Sequence, residues 1–123
     1  MNVLCFGNEH FPGDEVAKVF ASEIKEFQNF KFIPTDSPHQ ILKQKGNIII
    51  LDVVQGIKEV QLLTVDDLAT FKSSTAHDAD LGFYLKLLTE VGNIENVKII
   101  GLPFGEKDMK KLKNMVFEIL KNL

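Results

Sequence analysis

Two carboxylates and one imidazole stand at places in this sequence where they could share a metal ion. Glu15 follows Asp14 at the point where the loop GNEHFPGD gives way to an amphipathic segment, and Asp52 ends the apolar run IIIL. His77 lies in the polar stretch STAHDAD, before a leucine-rich segment. One imidazole and two carboxylates that leave coordination positions open suit a transition metal such as nickel, iron or zinc. The residue types therefore favour a metal site built from three separate loops.

Each of these residues also has an ordinary structural explanation. Acidic side chains in the first turn of a helix are stabilised by the macrodipole by ~0.3–1 kcal/mol, and Asp14 is expected to cap the helix. A carboxylate at the end of a run of isoleucines is partly desolvated, so Asp52 needs a partner or a proton. A loop histidine such as His77 becomes a ligand or a base only beside an acidic group or a metal. Asn8 and His10, in the loop after the first strand, are possible accessory residues.

Strands and helices alternate along the chain and determine where these residues lie. The run NIIILDVV has no polar alternation, which predicts a central parallel strand buried on both faces. Strands are predicted over residues 2–6, 30–35, 47–54, 59–65 and 96–104, helices over 14–27, 81–91 and 106–123, a short helix within 37–46, and a polar connection over 66–80.

This order predicts one α/β domain over residues 1–123. The expected architecture is a three-layer αβα sandwich around a mostly parallel, twisted, five-stranded sheet. In such sheets, ligand sites lie at the carboxyl ends of the strands, near a topological switch point. Glu15, Asp52 and His77 are expected at that edge.

The composition narrows the possible partners. The formal net charge is −3, and all 14 basic residues are lysines, so the bidentate arginines typical of phosphate recognition are absent and nucleic-acid binding is not expected. The single cysteine, Cys5, lies inside an apolar strand and predicts a buried, inert thiol. With neither a membrane span nor a signal-peptide pattern in the sequence, we expect a cytoplasmic monomer that does not insert into a membrane.

Taken together, these segments resemble the nickel–iron hydrogenase maturation endopeptidases. The resemblance rests on GN after the first strand with an acidic pair opening the next helix, on IIILD, and on TAHDADLG. The closing strand VKIIGLPFG extends it over nearly the whole chain.

The resemblance implies a specific activity. Members of that family engage nickel already loaded into the hydrogenase large-subunit precursor and then remove a short C-terminal extension from it. Carried over by position, the catalytic and metal-binding residues would be Glu15, Asp52 and His77. A metal that polarises a carbonyl or activates water removes the need for a serine or cysteine nucleophile.

Two alternatives remain open from the sequence. PTDSPHQ stands where the family usually carries a glycine-rich segment, which favours a non-catalytic metal-binding relative as one alternative. A response-regulator receiver has a similar length and an Asp at the end of a central strand. However, its acidic pair should lie directly at the first strand end, and VKIIGLPF lacks a lysine at its carboxyl end.

Neither GxGxxG nor GxxxxGK[ST] is present, which excludes dinucleotide and P-loop motifs.

Overall fold

Among the residues that the structure describes, six strands form one mostly parallel sheet at the centre of the fold. The computed structural model describes residues 1–7, 15–35, 40–41, 47–70 and 96–123. Its strands are β1 (Asn2–Phe6), β2 (Glu26–Phe27), β3 (Phe30–Thr35), β4 (Asn47–Val54), β5 (Gln61–Leu63) and β6 (Asn96–Pro103). Its helices are α1 (Val16–Val19), which continues into a π-helical turn (Phe20–Ile24), α2 (Val65–Thr70) and α3 (Met109–Lys121). The strand order is β2-β3-β1-β4-β6-β5.

The predicted central strand is confirmed. β4 pairs in parallel with β1 on one side and with β6 on the other. Every residue from Ile48 to Val54 is buried. A strand covered on both faces carries apolar residues at every position, and this explains why IIIL shows no alternation.

Two apolar clusters lie on opposite faces of the sheet. One joins Leu51 and Val53 of β4 to residues of α1 and α3, and the other joins Ile50 and Val54 to Ile41 and Ile57. Val65, the first residue of α2, packs against the second cluster. The α/β domain with helices on both faces of its sheet is therefore confirmed.

The predicted number of strands is wrong, because the first helix ends earlier than its apolar spacing indicates. The helical segment stops at Ile24, where Lys25 takes φ 66° and its N–H donates to the Phe20 carbonyl (3.1 Å). Glu26–Phe27 then forms β2, antiparallel to β3. The ring of Phe27 stacks on that of Phe117 in α3, with centroids 4.1 Å apart. A tertiary contact therefore accounts for the apolar position that we assigned to a helix.

The second correction concerns residues 59–70. The predicted strand over 59–65 is reduced to β5, an edge strand antiparallel to β6. Helix α2 replaces the first part of the predicted polar connection. Its start is fixed by a reciprocal capping box, in which the Thr64 N–H donates to Asp67 Oδ2 (3.0 Å) and the Asp67 N–H donates to Thr64 Oγ1 (3.1 Å).

The predicted helix over residues 106–123 is confirmed as α3, although α3 begins later than predicted. It begins at Met109 rather than Glu106, because Asp108 is the N-cap and its Oδ1 accepts the Lys111 N–H at 3.1 Å. Leu112, Val116 and Leu120 are buried, and Met109 and Ile119 are partly buried against the same apolar cluster.

Three predicted segments fall wholly or largely outside the described residues. These are the helix over 81–91, the rest of the connection up to residue 80, and the short helix within 37–46, of which only Gln40 and Ile41 are described. In the part of the chain that the structure describes, no helix combines the length and apolar character that crossing a membrane requires.

Candidate active site

Asp52 is a fully buried carboxylate in the central strand. Its exposed fraction is 0%, and its Oδ1 accepts the N–H of the next residue, Val53, at 3.0 Å. Burying a charged carboxylate is costly unless a proton or a partner compensates, and Asp is disfavoured in strands. The burial expected from the sequence is therefore confirmed, and it places an unfavourable residue in the most apolar element.

The register locates Asp52 at the carboxyl edge of the sheet. Cys5 and Leu51 are the last residues paired between β1 and β4, so Asp52 lies one position beyond them. On its other side it remains paired with Gly101 of β6. Because side chains alternate along a strand, Asp52 lies on the face of Ile50 and Val54, opposite to α1.

The neighbouring strands supply a second buried polar residue to the same edge. Thr35, the last residue of β3, is 0% exposed and pairs with Phe6 of β1. Its Oγ1 donates to the Ile33 carbonyl at 3.1 Å. Thr35 was not selected from the sequence. Its place as the polar end of the alternating strand FKFIPT is the signal that could have identified it.

Because Gly101 has no side chain, apolar side chains from β5 and from the loop before it fill the space beside Asp52. A Cβ on Gly101 would stand 2.9 Å from Leu63 Cδ1 and 3.0 Å from Ile57 Cδ1. Both distances are tighter than ordinary carbon contacts. Leu63 and Ile57 therefore pack directly on the backbone next to the carboxylate.

Glu15 occupies the N-cap position of α1. Its carbonyl accepts the N–H of Lys18 at 3.0 Å, but its side chain makes no capping hydrogen bond. Oε2 is buried and has no hydrogen-bond partner among the described residues. The side chain lines a cavity of about 300 Å³ together with residues of α1, the π-helical turn and β3. The N-cap residue of α1 is therefore Glu15 and not Asp14, which was expected to cap the helix and lies outside the described residues.

The strand order brings Glu15 and Asp52 to the two sides of a topological switch point. Along the chain, β1 is followed by α1 on one face and then by β2 and β3. β4 is followed by β5, by α2 on the other face and, after residues 71–95, which lie outside the described residues, by β6. β3 and β6 thus lie on opposite sides of the adjacent pair β1 and β4, the arrangement in which open α/β sheets have a crevice outside the carboxyl ends of their strands. Ligands of open α/β sheets bind in such crevices.

The other predicted site residues fall where the structure gives no description. His77, Asn8, His10 and Asp14 lie outside the described residues. Over the described ranges, no three of the His, Cys, Asp and Glu side chains come together as a metal-binding group. The assignment of Glu15, Asp52 and His77 to one site remains a prediction.

Cys5 is buried, as the sequence predicts. Burial raises the pKa of its thiol from 9.0 to about 12, and a hydrogen bond with the backbone of Ile33 offsets this only in part. Since the thiolate is the nucleophilic form of cysteine, the thiol is inert near neutral pH. Cys5 is therefore not a candidate nucleophile.

Comparison with known proteins assigns the chain to a family. The family model HycI, hydrogenase maturation protease, matches residues 34–121, while no curated protein gives a significant match. The crystal structure of a hydrogenase 3 maturation protease is similar with TM-score 0.67 and 18% identity, over 95% of this chain and 86% of that one.

Two further solved structures have the same fold. The endopeptidase HycI from Escherichia coli gives TM-score 0.66 and 19% identity over 99% of this chain and 90% of that one. A hydrogenase 2 maturation peptidase from a Thaumarchaeota archaeon gives TM-score 0.55 and 16% identity over 98% and 95%. At these identities the structures show a shared fold, and the family model spans more than half of the chain. The protein belongs to the hydrogenase maturation protease family.

Proposed function

We propose that this protein is a metal-dependent endopeptidase that removes the C-terminal extension from a nickel-loaded hydrogenase large-subunit precursor. Glu15, Asp52 and His77 are its catalytic and metal-binding residues, with Asn8, His10 and Asp14 in accessory positions. The protein acts in the cytoplasm as a monomer. Membership of the hydrogenase maturation protease family supports the reaction class and the kind of partner.

The observation that carries the proposal is the complete burial of Asp52 beside the switch point. A carboxylate in the central strand costs stability, and such costs are retained where they serve a binding or catalytic site. Glu15 is the N-cap residue of α1, the helix that follows the neighbouring strand β1, and its buried Oε2 lacks a hydrogen-bond partner among the described residues. Carboxylate oxygens in this setting are suitable ligands for a divalent ion.

In this proposal the nickel is part of the substrate, carried by the precursor. Glu15 and Asp52 would hold it through carboxylate oxygens, and His77 would add an imidazole nitrogen. When bound, the ion would polarise the scissile carbonyl or activate water. Cleavage is therefore conditional on correct loading of the precursor, because two carboxylates and one imidazole alone do not complete the site.

The test is a processing assay with nickel-loaded and nickel-free precursor from the same source organism. We expect cleavage of the loaded form only, and loss of cleavage in Glu15→Gln, Asp52→Asn and His77→Ala. Matched controls are Glu26→Gln and Asp66→Asn, which change carboxylates that are exposed on β2 and α2, and His39→Ala. The controls should cleave at the wild-type rate. Thermal unfolding of every variant separates loss of activity from loss of fold.

Cleavage that survives in any two of the three site variants would refute the assignment of the residues. If the wild type cleaves neither precursor but binds nickel, and the site variants do not bind it, the protein is the non-catalytic metal-binding relative.

A further inference from the structure

A groove runs between α1 and the outer edge of β3, with Glu15 in its lining. Its volume is about 300 Å³, at the lower end of the range for ligand pockets. The remaining lining residues come from three elements and are Lys18, Val19, Ala21, Ser22 and Pro34. The predominantly apolar groove therefore contains one of the carboxylates proposed to bind the metal.

The π-helical turn helps to form this groove. Ala21 and Ser22 belong to the turn Phe20–Ile24 and are the smallest side chains in the lining. The Ser22 hydroxyl donates to the Val19 carbonyl at 3.1 Å, which keeps that side chain close to its own helix. Single π-helical turns of this kind occur frequently at functional sites. Small side chains on a distorted helix leave room for an extended chain.

The edge of β3 offers hydrogen-bond acceptors to such a chain. The Lys31 N–H donates to the Met1 carbonyl (2.8 Å) towards β1, and the Phe32 N–H donates to the Lys25 carbonyl (2.9 Å) on the outer side. Alternation places the Pro34 carbonyl on the outer side as well. Pro34 has no N–H, so at that position the edge accepts a hydrogen bond and cannot donate one.

Across the part of the chain that the structure describes, strand pairing on this side covers only the first part of β3. Among the described residues, β2 pairs with Phe30 and Lys31 and with no later residue of β3. Proline on an exposed edge disfavours pairing between copies of the same strand. A different extended segment can still donate an N–H to the Pro34 carbonyl, which is one element of strand addition to a sheet edge.

We propose that this groove binds, in extended form, the segment of the precursor that adjoins its scissile bond. The inference rests on the proposed function, because the occupant is identified by the position of Glu15 in the groove. Apolar side chains of the segment contact Val19 and Ala21, and one backbone N–H of the segment donates to the Pro34 carbonyl. The groove thus aligns the peptide before Glu15 meets the metal.

The test blocks the groove after the protein has folded. In a Ser22→Cys variant the new thiol is exposed while Cys5 is buried, so a bulky maleimide modifies position 22 selectively. Asn114→Cys, on the exposed face of α3, is the matched control. The probe is a fluorescently labelled, nickel-free peptide containing the C-terminal extension and the residues before it, and binding is measured by anisotropy.

We expect the wild-type protein to bind the peptide. Modification of Ser22→Cys should weaken binding by about tenfold or more, and modification of Asn114→Cys should change it by less than about twofold. Absence of binding to the wild type, or equal effects in the two modified variants, would overturn the proposal. Because the probe carries no nickel and no cleavage is measured, this result is independent of whether the protein proves to be an active peptidase.

Discussion

The reactivity of the Cys5 thiol measures how well strand β1 is shielded from solvent. The residue is 0% exposed in β1, and its Sγ lies 3.7 Å from the Val3 carbonyl oxygen. Desolvation raises the thiol pKa from 9.0 to about 12. At pH 8 the thiolate fraction is thus ~0.1 in the unfolded chain and ~10⁻⁴ in the folded one.

We would measure the rate at which Ellman's reagent modifies Cys5 at pH 8, in the native protein and in denaturing guanidinium chloride. The thiolate fractions alone predict that the folded protein reacts ~10³-fold more slowly than the unfolded chain, and steric exclusion of the reagent slows it further. Reaction of the native protein then proceeds through transient opening, so its rate reports the free energy of that opening. A native rate within tenfold of the denatured rate would refute both the burial of Cys5 and its raised pKa.

The same pKa shift predicts a pH dependence of stability. The unfolded chain releases the Cys5 proton near pH 9 and the folded protein near pH 12, so this contribution is fully present below pH 9 and is lost as pH rises towards 12. The free energy of unfolding should fall by up to ~1.4 kcal/mol per pH unit in that window. Urea unfolding between pH 8 and 10.5 measures the slope. Cys5→Ala is the control. It lacks the thiol titration but keeps the lysines, which also titrate in this pH range.

Two further predictions concern backbone features of the fold. Thr64→Ala removes one half of the capping box of α2 and should lower the free energy of unfolding by ~1 kcal/mol in urea titrations; an unchanged midpoint would contradict the capping role. Lys25 has φ 66°, where glycine is favoured, so Lys25→Gly should leave the thermal unfolding temperature unchanged or raise it. The same change at exposed Lys110 in α3 should cost ~1 kcal/mol, and an equal loss at both positions would argue against strain at Lys25.

The sequence predicted the elements that are specified locally. A run of isoleucines is compatible with few environments other than a strand covered on both faces, and β4 is one. Phe27 shows where local pattern fails. Its spacing continued the apolar face of α1, yet it lies in β2 and stacks on Phe117, about ninety positions later in the chain. Helix α2 was not predicted, although the sequence TVDD contains Thr64 and Asp67 at the spacing of a capping box.

The burial of Asp52 was predictable from the sequence, whereas the assignment of Glu15, Asp52 and His77 to one site remains a prediction. An Asp after IIIL indicates a desolvated carboxylate that needs a partner or a proton. The strand order β3-β1-β4-β6 makes β1, the strand that precedes Glu15, the direct neighbour of β4, the strand that contains Asp52. No local pattern specifies that order, because it depends on the direction of each crossover connection.

Asp52 combines two features that no adjacent residue of β4 combines. It lies beyond the last residue paired with β1, and its side chain is on the face opposite to α1. Leu51 and Val53 belong to the cluster under α1 and α3, so a carboxylate at either position would lie within that packed layer. Ile50 is on the same face as Asp52 but is still paired with Leu4 of β1. Residue 52 is the first position of β4 that is beyond the last β1 pair and also on the opposite face. Since a one-residue shift in register moves every side chain to the other face, the apolar run that fixes the register of β4 also fixes the place of the carboxylate. The isoleucines before Asp52 are in this sense part of the site.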